Sequence, residues 1–139
     1  MRPRPEIDIL SEPFWRATES GRLELTYCRA CQQFIHPPRA CCPSCGSETS
    51  WQEVSGRGAV WAVTIPRREW LSGFDRPAPY GLFIVELEEQ PGLLMLSDCD
   101  LDTALQLDVG QPVAVQFEEH DGFTLPQFRA IAEVSAVSV

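Results

Sequence analysis

Two Cys-x-x-Cys pairs, Cys28-Arg-Ala-Cys31 and Cys42-Pro-Ser-Cys45, stand ten residues apart and constrain the fold more than any other feature of the chain. In each pair a tight turn can aim both sulfurs at one point while backbone N–H groups bond the thiolates. Two such knuckles close a tetrahedral S₄ site, with metal–sulfur bonds of about 2.3 Å for zinc. The second knuckle suits this well, because Pro43 fixes its φ and Gly46 supplies an open conformation after the last sulfur. A stretch of roughly thirty residues cannot build an apolar core alone, so the metal would hold it together as a small ribbon. A four-thiolate site is coordinatively closed, and such a zinc is structural rather than catalytic. Iron in rubredoxin fashion would accept the same donors; the short loop between the pairs favours zinc.

Five of the six cysteines fall between positions 28 and 45, so one, Cys41, is left as a spare thiol beside the site. His36 follows an intact knuckle and is expected at the surface. Cys99 is flanked by Asp98 and Asp100, which raise a thiol's pKa and make a poor nucleophile. A catalytic Cys99–His120 pair is therefore the weaker reading, and a semi-buried structural cysteine the stronger. The acids Asp98, Asp100, Asp102 and Asp108 lack the glycine and terminal glutamate of an EF-hand and read as a solvated loop.

With 139 residues and an apolar fraction of 44%, the chain is long enough for one compact soluble unit. The start, MRPRPEIDIL, looks disordered and lacks the apolar stretch of a signal peptide. No apolar run approaches the roughly 20 residues that span a bilayer. The expected compartment is the cytoplasm, where cysteines in this pattern indicate metal rather than disulfides. All eleven basic residues are arginine, against twenty acids. Residues 1–70 carry a net +1 and residues 71–139 a net −10. Nucleic-acid binding rests on cations that neutralise phosphates, so the second half would repel such a backbone.

The segment LSEPFWRATESGRLEL reads as a short helix, with Ser11 as N-cap, Pro13 in the first turn, a Leu10–Trp15 staple and Gly21 just past the end. The β-like pieces LELTY and SWQEV flank the cysteines. After Gly58 come GAVWAVTI, YGLFIVELE, GLLMLSD, PVAVQFEE and FRAIAEV, separated by turn-forming pieces that include EEQPG and DCDLDTALQLDVGQ. Five strands without a long helix among them suggest a closed five-stranded OB-type barrel, since closure removes exposed edges; an SH3-like barrel or split sandwich is the alternative. The expected fold is thus mainly β: an N-terminal arm and helix over 1–22, a zinc ribbon over 23–54 and an OB-fold barrel over 55–139. In the loop PRREWLSGFDRPAPY, Arg67, Arg68 and Arg76 interleave with Trp70, Phe74 and Tyr80. Arginines suit phosphates and aromatics offer a stacking face, so the loop is either a contact for a nucleotide-like ligand or a protein, or an exposed loop whose aromatics cap the barrel end.

The pieces FWRATESGRLEL, CRAC, HPPRACCPSCGS, VSGRGAVWAVT, APYGLFIVEL, VGQPVAVQF and LPQF, in that order, resemble the DUF35 family over about residues 14–130. Its members are OB-fold proteins with an N-terminal rubredoxin-like zinc ribbon, often described as acyl-CoA-associated. The resemblance implies zinc ligands at Cys28, Cys31, Cys42 and Cys45; where the family commonly has glycine after the first knuckle, this chain has Gln32. It also implies a partner more than a reaction: a non-catalytic subunit beside a thiolase-superfamily enzyme (a thiolase, an acyltransferase or a side-chain aldolase), in a hetero-oligomer that shares an acyl-CoA. On that implication Arg67, Arg68, Trp70, Arg76 and Tyr80 become candidates for the CoA, and Phe14, Trp15 and Trp51 for the partner interface. The competing reading is a nucleic-acid-binding zinc-ribbon/OB module, which the charge distribution disfavours. A free-standing enzyme would need a nucleophile–base pair or an open metal position.

Overall fold

The computed structural model of the chain describes residues 2–68 and 77–131. Helix α1, Glu12–Glu19, is followed by strands β1 (Leu23–Cys28), β2 (Gln33–Ile35) and β3 (Ser50–Val54), which form a three-stranded sheet in the order β2-β1-β3. Strands β4 (Arg57–Thr64), β5 (Gly81–Leu87), β6 (Leu94–Cys99), β7 (Pro112–His120) and β8 (Phe123–Ala130) form a second sheet in the order β6-β5-β4-β7-β8, with helix α2 (Leu101–Gln106) between β6 and β7.

The start of α1 differs from the expectation. Ser11 lies in the helical region and makes no side-chain cap. Instead Ser11 N–H donates to Asp8 Oδ1 (2.8 Å) while Asp8 N–H donates to Ser11 Oγ (3.2 Å), so the capping pair sits one turn earlier. The Ser11 N–H, and after it the Ser11 hydroxyl, hold the Asp8 carboxyl below its ordinary value. The far end is a Schellman motif: Arg22 N–H reaches Ala17 O (2.9 Å) and Gly21 N–H reaches Thr18 O (3.0 Å). The helix buries Phe14, Ala17 and Thr18 and packs against β1 and β8.

Strict alternation in β5 buries Gly81, Phe83, Val85 and Leu87 and turns Leu82, Ile84 and Glu86 outward. The strand order, with a helix between the third and fourth barrel strands, is the OB arrangement. Side chains bring β6 and β8 together. Ser97 Oγ accepts from Phe128 N–H (2.9 Å) and donates to Gln127 Oε1 (2.7 Å), which also accepts from Asp98 N–H (3.1 Å). Gln127 Nε2 donates to Asp98 Oδ1 (3.0 Å), and Arg129 Nη1 donates to Asp98 O (3.0 Å).

Three expectations are corrected at this seam. Asp98 is not in a solvated loop but buried in β6, where Arg2 grips it through two bonds of 2.8 and 3.1 Å. That pair also anchors the N-terminal arm, whose composition reads as disordered. The piece read as a turn after Cys99 holds α2, because Asp100 Oδ1 accepts from Thr103 N–H (2.7 Å) and caps a six-residue helix. Gly81 lets that helix approach: an added Cβ would stand 2.5 Å from Ala104 Cβ and 2.6 Å from Cys99 Sγ.

One apolar cluster joins the base of the ribbon to the barrel. Leu23, Leu25 and Val54 from the first sheet lie with Val60, Phe83, Val85, Leu87, Val113 and Phe128 from the second. The ribbon therefore rests on the barrel through a shared core, and its far end, with the cysteines, projects from it.

Candidate metal centre

The last residue of β1 is Cys28, and the β1–β2 turn carries Cys31; Cys42 and Cys45 come from the long return between β2 and β3. The four Sγ atoms lie within 4.8 Å of one another. Cys28 Sγ stands 3.5 Å from Cys45 Sγ, and Cys31 Sγ 4.0 Å from Cys42 Sγ. A tetrahedron of zinc–thiolate bonds places its sulfurs about 3.8 Å apart, so the donors are already at coordination spacing. Each knuckle is built as the spacing requires. Cys31 N–H points at Cys28 Sγ (3.3 Å) and Ser44 N–H at Cys42 Sγ (3.4 Å). Gly46, at φ 78°, returns its N–H to Cys42 O (2.8 Å). Gln32 takes φ 56°, the left-handed conformation that glycine would adopt without strain.

The electrostatics of the cluster call for a cation. Ser47, through its hydroxyl and its N–H, pulls the Cys45 thiol down to about 6, and the N–H groups of Cys45 and Ser44 draw Cys42 below 9.0. Hydrogen bonding to the sulfurs of Cys45 and Cys28 pushes Cys31 up to about 12. Four sulfurs this close cannot all carry negative charge without a positive centre among them. A divalent ion with soft-donor affinity meets that need, and the residues present fit it. Cys41 lies outside the cluster, exposed and bridged to Glu48.

His36 departs from its expected surface position. Its ring lies 6.1 Å from that of Phe14, and its Nδ1 is buried without a hydrogen-bond partner among the described residues. Burial lowers its pKa from 6.5. No Cys99–His120 dyad is evident: Cys99 is buried against Gly81 and Ala104, whereas His120 stacks on Phe123 at 4.9 Å.

The remaining candidates separate. Arg67 and Arg68 are exposed just beyond β4, and Tyr80 precedes β5. The pairing of Thr64 with Leu82 puts all three at one end of the barrel. Trp70 and Arg76 lie outside the described residues. Phe14, 7% exposed, belongs to the core, and Trp15 and Trp51 pack against it, so these aromatics serve the fold first. Among the described residues, Trp61, 51% exposed, is instead the exposed large aromatic; beside it, Ala62, Ile84 and Leu96 form a cross-strand row on the outer face of β4, β5 and β6. Sequence reasoning missed this row because a strand buried on one face and apolar on both gives no alternation to read.

Family models match both halves of the chain: a ChsH2 rubredoxin-like zinc ribbon domain over residues 15–50 and a ChsH2 C-terminal OB-fold domain over residues 51–118. A probable enoyl-CoA hydratase alpha subunit from Thermomonospora curvata is 33% identical over 132 residues, covering 93% of this chain and 40% of that protein. A DUF35 domain-containing scaffold protein from Methanocaldococcus jannaschii is 34% identical over 64 residues, 45% of each chain. The chain thus spans less than half the length of these curated relatives. Among solved structures, an Ltp2-ChsH2(DUF35) aldolase chain superposes with a TM-score of 0.75 at 30% identity, covering 91% of this chain and 98% of that one. With the zinc ribbon matched and four sulfurs at coordination spacing, the ion is a structural zinc.

Proposed function

The chain belongs to the DUF35 family in its ChsH2-like form, a zinc ribbon followed by an OB-fold barrel, and on that premise we propose that it is a non-catalytic accessory subunit of a thiolase-superfamily enzyme. The observation that carries the reading is the superposition of nearly the whole fold on the ChsH2(DUF35) component of an aldolase named for two proteins. The name of the Methanocaldococcus relative, a scaffold protein, agrees with it. The metal centre supports the non-catalytic part, because four thiolates leave zinc no position for substrate or water. The subunit stabilises or bridges the complex with arm and helix (1–22), ribbon (23–54) and barrel (55–139).

The finer part of the proposal is that the subunit helps hold the acyl-CoA. Arg67 and Arg68, exposed at the barrel end that Tyr80 shares, would meet the phosphates, together with Trp70 and Arg76, which lie between Arg68 and Tyr80 in the sequence. Against a nucleic-acid role stands the barrel face used by OB folds for such ligands. Here β5 and β6 present Leu82, Ile84, Leu94 and Leu96 rather than cations.

The test is co-purification. Tagged chain should recover a thiolase-like protein in near-stoichiometric amount from its source cells, and adding an acyl-CoA should tighten the complex. An inert monomer that recovers no such enzyme would sink the proposal, and sub-micromolar, salt-dependent binding to single-stranded DNA would favour the alternative.

A further inference from the structure

The β5–β6 turn, Glu88-Glu89-Gln90-Pro91-Gly92, holds the ribbon with two neighbouring side chains. Gln90 Oε1 accepts from Phe34 N–H at 2.8 Å and Gln90 Nε2 donates to Phe34 O at 3.1 Å, across 56 residues of chain. An N–H and a C=O of one residue bonded together are what an adjacent antiparallel strand would provide. Phe34 lies in β2, an edge strand of the ribbon sheet. The Gln90 amide therefore stands where the next strand would be. The neighbouring residue, Glu89, accepts from Ser55 N–H at 2.6 Å, immediately past β3 at the other edge of the same sheet. The turn is itself braced, since Gly92 N–H donates to Glu86 Oε2 (2.9 Å) and Leu87 N–H to Leu93 O (2.9 Å).

We infer that this turn is the clasp that sets the ribbon's orientation on the barrel, with Gln90 as its positioning residue. The shared apolar cluster brings ribbon and barrel together, but apolar contact is non-directional. The paired amide bonds supply the direction. The chemistry is specific to a primary amide of this length: a carboxylate keeps the acceptor and loses the donor, an aliphatic chain loses both, and asparagine is one methylene short. The same bonds also occupy part of the β2 edge, which would otherwise offer unpaired backbone to another chain. The consequence for assembly rests on the scaffold reading above. A partner that touches both ribbon and barrel binds a pre-set angle more tightly than a swinging one.

The experiment uses the full, zinc-loaded chain with Gln90→Leu, Gln90→Glu and Gln90→Asn. Zinc content should stay at about one per chain. Amide exchange at Phe34 should accelerate about ten- to hundredfold in Gln90→Leu, with Gln90→Glu between it and the wild type. Exchange at Val85 and Phe128 should not change, and residual dipolar couplings should show the ribbon reoriented or averaged against the barrel. Recovery of the thiolase-like subunit should fall in the same order. Wild-type exchange at Phe34 in Gln90→Leu, or an equal acceleration throughout ribbon and barrel, would overturn the clasp. If the wild-type chain recovers no partner, the scaffold reading fails, while exchange at Phe34 still decides the clasp.

Discussion

The far end of the ribbon and the barrel solve the same problem by opposite means. Between Arg29 and Glu48 Cys42 alone is fully buried and Phe34, Ile35 and His36 are only partly so, whereas β5 buries every second residue along its length. The first region therefore has almost no apolar burial with which to offset the entropy of ordering its chain. Its order comes from four sulfurs and the ion they surround. The barrel draws on an apolar cluster and on a seam of side-chain hydrogen bonds. The difference predicts that stability in this molecule divides by cause: metal chemistry at one end, and packing and polar satisfaction at the other.

The largest test of that division is removal of the metal. Cys45→Ser, or a strong chelator, should abolish zinc binding and unfold the knuckles, since apparent binding energies of structural zinc are about 10 to 16 kcal/mol in zinc-finger peptides. The barrel should survive. Nuclear magnetic resonance would show dispersed signals for Val85 and Phe128 but collapsed ones for Cys31 and Ser44. A ribbon that keeps its fold without metal would break the comparison. The converse is Phe128→Ala, at a side chain with 0% exposure, which should cost about 3 to 5 kcal/mol in urea denaturation and leave zinc content unchanged.

The two regions also differed in what their residues disclosed. The knuckles are legible because every donor lies within a few residues of its neighbour, and the Cys-x-x-Cys spacing states the geometry directly. The barrel strands are legible as short β-branched and aromatic runs between turn signals, as in β5, although such a run does not disclose which face is buried. What the sequence hid are contacts whose partners are far apart along the chain. Arg2 meets Asp98 across 96 residues and Gln90 meets Phe34 across 56, and no local pattern marks either pair. Helix α2 was hidden for a different reason: six residues carry too little periodicity to announce a helix, and only the Asp100–Thr103 cap gives it away. Gln32 was partly legible. A glycine expected at that place points to positive φ, and the chain adopts it with glutamine.

The seam gives a smaller effect than the core, and it tests whether polar satisfaction closes the barrel. Gln127→Leu keeps approximate volume but removes the acceptor that the Ser97 hydroxyl and Asp98 N–H share and one of the donors to Asp98 Oδ1, which Arg2 still holds. Unpaired buried groups cost about 1 to 3 kcal/mol, to be read as a lowered urea midpoint at constant slope. Faster amide exchange should be concentrated in β6 and β8. No change in midpoint would mean that the apolar cluster alone closes the barrel.

The smallest expected effect lies where the ribbon meets helix α1, at His36, and it appears only as a slope. In the unfolded chain His36 takes up its proton near 6.5; in the folded chain burial disfavours the cation and lowers that value. Below 6.5 the unfolded state therefore binds the proton that the folded state refuses, and stability falls as pH falls, levelling off once the folded value is passed. Above 6.5 both states are neutral at this site and its contribution does not vary. His36→Phe removes the titrating group and should retain the ring contact with Phe14. With zinc held saturating, the difference in unfolding free energy between wild type and variant should stay constant from pH 8 to about 7 and then move in the variant's favour as the pH is lowered. Parallel curves throughout that range would show that His36 reaches solvent when charged, and that the boundary between ribbon and helix opens more easily than its burial indicates.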